Sequence, residues 1–179
     1  MSRTAVPPSG ISEQTHERAW YESRAPRAAG PRAVLTSTAL SVVALTLLAG
    51  IGVWLHQAVL IPPLAASMAL IAGASASPLA QPRNVVGGHV VAALTGYLVV
   101  AVAGAGFWSA AAAGGLALGV MLLFRVSHSP AAATAVIVGL EHPPPAQFLS
   151  LLVMSAVLLV LIGLLGNRIN RRHYPVYWW

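Results

Sequence analysis

Between Ala33 and Gly166 the chain carries only three charged residues, Arg83, Arg125 and Glu141. So little charge cannot dress a water-facing surface, which in soluble domains takes roughly a quarter of all residues. Across the 179 residues 57% are hydrophobic and 8% charged, so most of the surface must face something other than water. In lipid every backbone N–H and C=O needs a partner inside the protein, and an apolar segment meets that demand by becoming a helix. The expected fold is all-α: a polytopic transmembrane helical bundle of four to six segments, with discontinuous or re-entrant helices.

The cations lie mostly at the ends. Arg3, Arg18, Arg24, Arg27 and Arg32 precede the first apolar run, Arg168, Arg171 and Arg172 follow the last, and there is no lysine. The positive-inside rule then puts both termini in the cytoplasm and makes the number of crossings even. The expected location is a plasma or inner membrane, with lipid as the first partner. A sequence pI near 11.2 would suit nucleic acid, but these arginines lack interleaved aromatics and a folded basic face, so no nucleic-acid partner is expected. With no cysteine, disulfides, thiolate chemistry and Cys-ligated metal sites are excluded, and no cofactor is expected.

Residues 1–33 are rich in Pro, Ser, Arg and Glu, lack apolar periodicity, and read as a disordered cytoplasmic tail. No apolar run before Ala33 resembles a signal peptide. Arg24, Arg27 and Arg32 suit anionic lipid, but the favoured reading is a tail that only sets topology. Residues 34–172 form the transmembrane domain. Full spans are expected at 34–55, 59–76, 85–107 and 146–166, with Trp54, His56 and Trp108 at the outer interface. Residues 173–179, "HYPVYWW", are expected to anchor the chain at the headgroups. Between the third and last spans, two short pieces at 110–124 and 131–140 fit either six crossings with a broken fifth or a re-entrant hairpin among four full spans. Glycines such as Gly87, Gly88, Gly96 and Gly114 suit close helix packing, within one chain or in a homo-oligomer.

The break itself reads "RVSHSPAAATAV", residues 125–136. Ser129 is a favourable N-cap and Pro130 a favourable first helical residue. A helix starting there aims its unpaired N–H groups and positive dipole end at whatever precedes it. Arg125, Ser127 and His128 lie on that side, and Thr134 follows one turn on, so the pattern describes an anion site. "SASPLAQPRN", residues 75–84, repeats the Ser-Pro device with Ser77, Arg83 and Asn84, and His89 follows. Paired Pro-interrupted segments are a sequence pointer to a transporter's binding site. The absence of any carboxylate inside the spans argues against a cation or proton pathway. Plainer readings stand beside each residue: Arg83 at the headgroups, Arg125 snorkelling, His89 and His128 as packing or capping groups, Glu141 and His142 in an outer loop.

"SPLAQPRNVVGGHVVAALTGY", "SHSPAAATAVIVGL" and "NRINRRHYPVYW" closely resemble three ordered motifs of the HPP family of integral membrane proteins. The resemblance runs from about residue 34 onward. It implies four or more membrane helices and, for some plastid and cyanobacterial members, nitrite transport; a regulatory CBS module found in some members is not expected here. This chain departs from the family pattern at Ser129, which replaces the first proline of the naming motif, and at Ala132, which replaces a glycine. His142-Pro143-Pro144 reads as a coincidental loop sequence.

The leading expectation is therefore a transporter or channel for a small inorganic anion, nitrite foremost, with Arg125→Ala more damaging than His128→Ala. The alternative is a non-transporting membrane scaffold or sensor subunit. An enzyme is not expected, because no nucleophile–base pair or metal set is visible in the sequence.

Overall fold

The computed structural model describes residues 28–178. Six helices follow one another: α1 Pro31–Leu55, α2 Pro62–Gly73, α3 Pro82–Ala103, α4 Phe107–Leu123, α5 Ala131–Glu141 and α6 Pro145–Ile169. A single 3-10 turn, Pro78–Ala80, lies between α2 and α3. Helices α1, α3 and α6 are long and apolar enough to cross a membrane. Helices α2 and α5, with 12 and 11 residues, reach only about 18 and 16 Å.

Prolines set most of the helix starts. Helices α1, α2, α3 and α6 carry proline in their first positions, where the missing N–H would have had no helical partner anyway. This moves several expected boundaries. The first helix begins at Pro31, so Arg32 lies in its first turn instead of in the tail; Arg3, Arg18, Arg24 and Arg27 fall outside the described residues. The second span, expected over 59–76, is helical only from Pro62 to Gly73. The third starts at Pro82, which takes Arg83 and Asn84 into its first turn. It stops at Ala103 because Gly104 and Gly106 take φ of 75° and 157°, values open mainly to glycine.

Chain direction alternates through all six helices. The Ser37 hydroxyl near the start of α1 donates to the Ala72 carbonyl at the end of α2. Asn170, just after α6, reaches Ser37 in turn, and Arg83 at the start of α3 donates to the Phe124 carbonyl just after α4. These ends share one face. At the opposite face the Gly106 amide donates to the Gly139 carbonyl at 2.9 Å, and the Tyr97 hydroxyl to the Pro143 carbonyl at 3.0 Å. All six expected segments are helical, three of them long enough to span; α4 and α5 pack as an antiparallel pair whose outer ends meet at the far face, while the end of α4 lies beside the start of α3.

Three helices end in the same way. After α1, α4 and α6 the amide pairs 6→1 and 5→2 close the last turn, as in Gln57 to Gly52 with His56 to Val53. The residue that must then be left-handed is usually glycine, but here it is His56, Arg125 and Arg171, with φ of 52°, 57° and 53°. Arg125 is exposed at the end of α4, where a cation complements the negative end of the helix dipole.

The buried side chains form two cores. One joins α1, α2 and α6 around Leu48, Leu64, Met68, Ile71 and Leu159; the other joins α3, α4 and α5 around Ala113, Ala117, Met121 and Ala135. The outward faces carry Leu98, Val102, Phe107, Leu123 and Leu161, all strongly exposed, as expected where the neighbour is hydrocarbon. Trp54 and Trp108 stand out at the far face, at 79% and 91% exposure.

Small residues allow α4 and α5 to touch. A Cβ on Gly139 would lie 2.5 Å from the Ala110 Cα, whereas one on Gly115 would meet nothing within 4 Å. Gly139→Ala should therefore destabilise the fold by about 1–3 kcal/mol through overpacking. Gly115→Ala should be neutral or stabilise by up to about 1 kcal/mol through helix propensity. Reversible unfolding in detergent micelles distinguishes the two.

Candidate functional site

The polar residues that composition makes most conspicuous, the arginines, do not meet inside the bundle. Among the described residues all six lie at one face: Arg32, Arg83, Arg125, Arg168, Arg171 and Arg172. What lies inside is a pair of histidines. His89 on α3 and His128 in the loop before α5 are both fully buried, with ring centroids 5.1 Å apart and planes at 65°. His89 is seven residues into α3, roughly 10 Å in from the arginine-rich face.

One hydroxyl joins the rings. Ser67 Oγ on α2 lies 2.7 Å from His128 Nε2 and 2.9 Å from His89 Nε2. It is also 2.8 Å from the Pro63 carbonyl one turn back. The remaining ring nitrogens have partners as well: His89 Nδ1 meets Thr134 Oγ1 on α5 at 2.8 Å, and His128 Nδ1 meets the Leu79 carbonyl at 2.8 Å. A carbonyl only accepts, so His128 Nδ1 carries a proton and donates. Ser67 and Thr134 are fully buried, so the centre is a closed hydrogen-bonded cluster drawn from four parts of the chain.

Two features of the sequence let the cluster close. A Cβ on Gly88 would sit 2.6 Å from the His128 Cβ and 2.9 Å from the Val126 carbonyl, so glycine beside His89 is what admits the loop to α3. The second feature is a repeat of short helices. Pro63 precedes Ser67 by four residues and Pro130 precedes Thr134 by four, so each short helix offers its hydroxyl one turn after a proline. Because chain direction alternates, α2 approaches from the far face and α5 from the arginine-rich face. The Ser-Pro pair at Ser77 and Ser129, expected as the matched elements, is not the pair that meets.

The expected N-terminal amide site at α5 is not built. Ser129 is exposed and makes no side-chain cap; Pro130 takes that place. The first amides of α5, those of Ala131, Ala132 and Ala133, donate to the carbonyls of His128, Ser129 and Pro130. These 3-10-type bonds tighten the start of the helix and leave no fan of unpaired N–H groups. Ser77 does cap as expected, its Oγ accepting from the Leu79 amide. Asn84 is buried and donates to the Pro78 carbonyl at 2.8 Å. Ser127 is half-buried beside the histidine loop, and Arg83 serves the end of α4. Thus His89, His128 and Thr134 converge, while Ser77 and Asn84 brace the turn behind them and Arg83, Arg125 and Ser129 lie nearer the surface.

Ser67 was missed by sequence reasoning. Its only signal was a hydroxyl four residues after a proline in a helix too short to span.

The turn that holds His128 is itself held by the C-terminal tail. Gln81, fully buried, donates to the carbonyls of Ser75 and Ser77 and accepts from the Val176 amide. The Tyr174 hydroxyl donates to the Ala80 carbonyl and that of Tyr177 to the Pro78 carbonyl. Burial pushes the Tyr174 phenol above its ordinary pKa, so it remains a donor. Tyr174 therefore packs inside the domain; Tyr177 and Trp178 face outward, and Trp179 lies outside the described residues.

A bundle with apolar outward faces, three helices able to span and a buried polar centre defines a polytopic helical membrane protein. The chain belongs to the HPP family: the model of the HPP transmembrane region matches residues 26–175. It is 37% identical over 131 residues to a transmembrane protein of Dictyostelium discoideum, covering 68% of this chain and 46% of that protein. It is also 36% identical over 124 residues to a second transmembrane protein of that organism, covering 64% and 40%. The chain thus spans less than half the length of these curated relatives. No solved structure matches it.

Ser67→Ala removes the bridging oxygen and leaves ring nitrogens buried without a partner. It should cost about 1–3 kcal/mol, whereas Ser150→Ala, at an exposed hydroxyl with a local bond, should stay within about 0.5 kcal/mol. Equilibrium unfolding in micelles is the measurement.

Proposed function

We propose that the protein is a membrane transporter or channel for a small inorganic anion, nitrite foremost, and not an enzyme. One observation carries the reading: two half-length helices come in from opposite faces and bring hydroxyls to a histidine pair inside the bundle. Discontinuous helices meeting at a buried polar site are the recurring architecture of secondary transporters. The electrostatics fit an anion. Glu141 is the only acidic residue among the described residues, and it is exposed at the far face. Six arginines at one face raise the local concentration of small anions there. They also orient the chain with that face toward the cytoplasm, in a plasma or inner membrane.

A serine beside histidine also resembles a nucleophile and its base. Against that, the Ser67 oxygen already has three partners, and the nearby α5 amides that would stabilise an oxyanion are bonded to backbone carbonyls. The scaffold reading keeps one observation in its favour, since all four ring nitrogens are satisfied within the protein. Passage of a solute requires α2 or α5 to shift.

The geometry reverses the order of effects expected from the sequence. Arg125 is exposed, so Arg125→Ala should lower nitrite uptake by proteoliposomes by less than about tenfold, with the deficit shrinking as salt is raised. His128→Ala should lower uptake by well over about tenfold, since it leaves a buried cluster incomplete. Uptake equal to that of empty vesicles would discard transport in favour of the scaffold.

A further inference from the structure

The hydrogen bonds of the histidine centre do not balance when both rings are neutral. Ser67 Oγ has three partners within 2.9 Å but only one proton to give. The Pro63 carbonyl can only accept, so a fully made set sends the hydroxyl proton there. Both Nε2 atoms must then donate to Ser67 Oγ. For His89 this is compatible with a neutral ring, because its Nδ1 can accept from the Thr134 hydroxyl. For His128 it is not, because Nδ1 already donates to the Leu79 carbonyl. With both nitrogens donating, His128 is an imidazolium.

We infer that the His89–Ser67–His128 centre binds one proton together with one small anion, so that the anion moves with a proton. The inference rests on the proposed transport and names its coupling. In the proton-free state the Ser67 hydroxyl donates to His128 Nε2, and its contact with the Pro63 carbonyl has no proton in it. Proton uptake places H⁺ on His128 Nε2, and the Ser67 hydroxyl turns to Pro63; no other bond changes. The ring then bears a full positive charge inside the bundle, where an isolated charge is costly unless it is paired.

The surroundings supply no resident counter-charge. From α2 the cluster faces Ser67, from α3 His89, from α5 Thr134, and from the 3-10 turn the Leu79 carbonyl. From α4, Met121 packs beside Gly88. From α6 no titratable group reaches the rings: Asn167 bonds to Ile71 and Gly163, and Arg168 lies at the arginine-rich face. Arg83 and Arg125 are at that same face, and Glu141 is at the opposite one. A mobile anion is therefore the partner the imidazolium takes. Proton and anion binding are then reciprocally linked, each strengthening the other.

The test uses the full chain in lipid, with sodium nitrite as the probe. In proteoliposomes holding a pH-sensitive dye, nitrite uptake should acidify the interior by about one proton per anion, beyond the nitrous acid leak of empty vesicles. Burial lowers the His128 pKa to about 4, so raising the pH from there toward neutral should weaken apparent nitrite affinity by roughly tenfold to a hundredfold, the size of a typical coupling between sites. In nanodiscs with ¹⁵N-labelled histidine, adding nitrite at fixed pH should convert one ring to the doubly protonated form. That signal should be missing in His128→Asn, whose side-chain amide can keep the Leu79 bond. Nitrite uptake without proton movement, with unchanged ring spectra in the wild type, overturns the inference and leaves the transport reading standing. No uptake above empty vesicles overturns the transport reading, and this inference with it.

Discussion

A buried polar atom in an apolar bundle must find its partner inside the protein, and Ser67 is where that demand is concentrated. Its oxygen ties a ring from α3 to a ring from the loop before α5. The residues are separated by 22 and 61 positions in sequence, so closing the cluster fixes how α2, α3 and the loop lie against one another. Nearby features serve that closure. Gly88 has no Cβ because the loop lies against α3, and α2 is short because its chain is extended up to Ile61 before the prolines start the helix. The first turn of α5 tightens as the amides of Ala131, Ala132 and Ala133 pair with carbonyls three residues back.

Support for the cluster extends to the far end of the chain. The 3-10 turn presents the Leu79 carbonyl to His128. That turn is irregular backbone with a buried residue, Ala80, and its carbonyls need partners within the protein. The tail after α6 bonds to it: Val176 on Gln81, Tyr174 on Ala80 and Tyr177 on Pro78. Arg172 adds a bond to the Ala72 carbonyl at the end of α2, and Asn167 adds one to Ile71. The family match runs through residue 175, which is consistent with a tail that belongs to the domain.

The sequence made the membrane class, the helical fold and the positions of its breaks legible, because near-absence of charge and the placement of proline act locally. His89, His128 and Thr134 were also legible, as polar residues that apolar surroundings do not readily absorb. The exposed, left-handed position of Arg125 was not legible: such a helix end is normally announced by glycine, and nothing in the string marks an arginine in that state. Ser129 was misjudged because N-cap preference is a tendency that a 3-10 start can override. Ser67 was invisible for a different reason. A serine in a membrane helix usually satisfies itself by bonding to the carbonyl four residues back, as Ser41 does with Ser37. Only the packing of α2 against α3 and α5 shows that Ser67 has further partners.

The arginine-rich face and the histidine centre act on different scales in the proposed function. Exposed charges at the face are screened over about 8 Å in physiological salt. They can gather anions and orient the chain, but they cannot hold an ion roughly 10 Å farther in. Selection inside the bundle falls to groups without permanent charge, and among those only imidazole changes its charge near neutral pH. An arginine in the same place would stay cationic throughout and bind its anion without a way to release it. A histidine held between the Ser67 hydroxyl of a short helix and the Leu79 carbonyl can lose its charge when α2 shifts, and the anion's reason to remain goes with it.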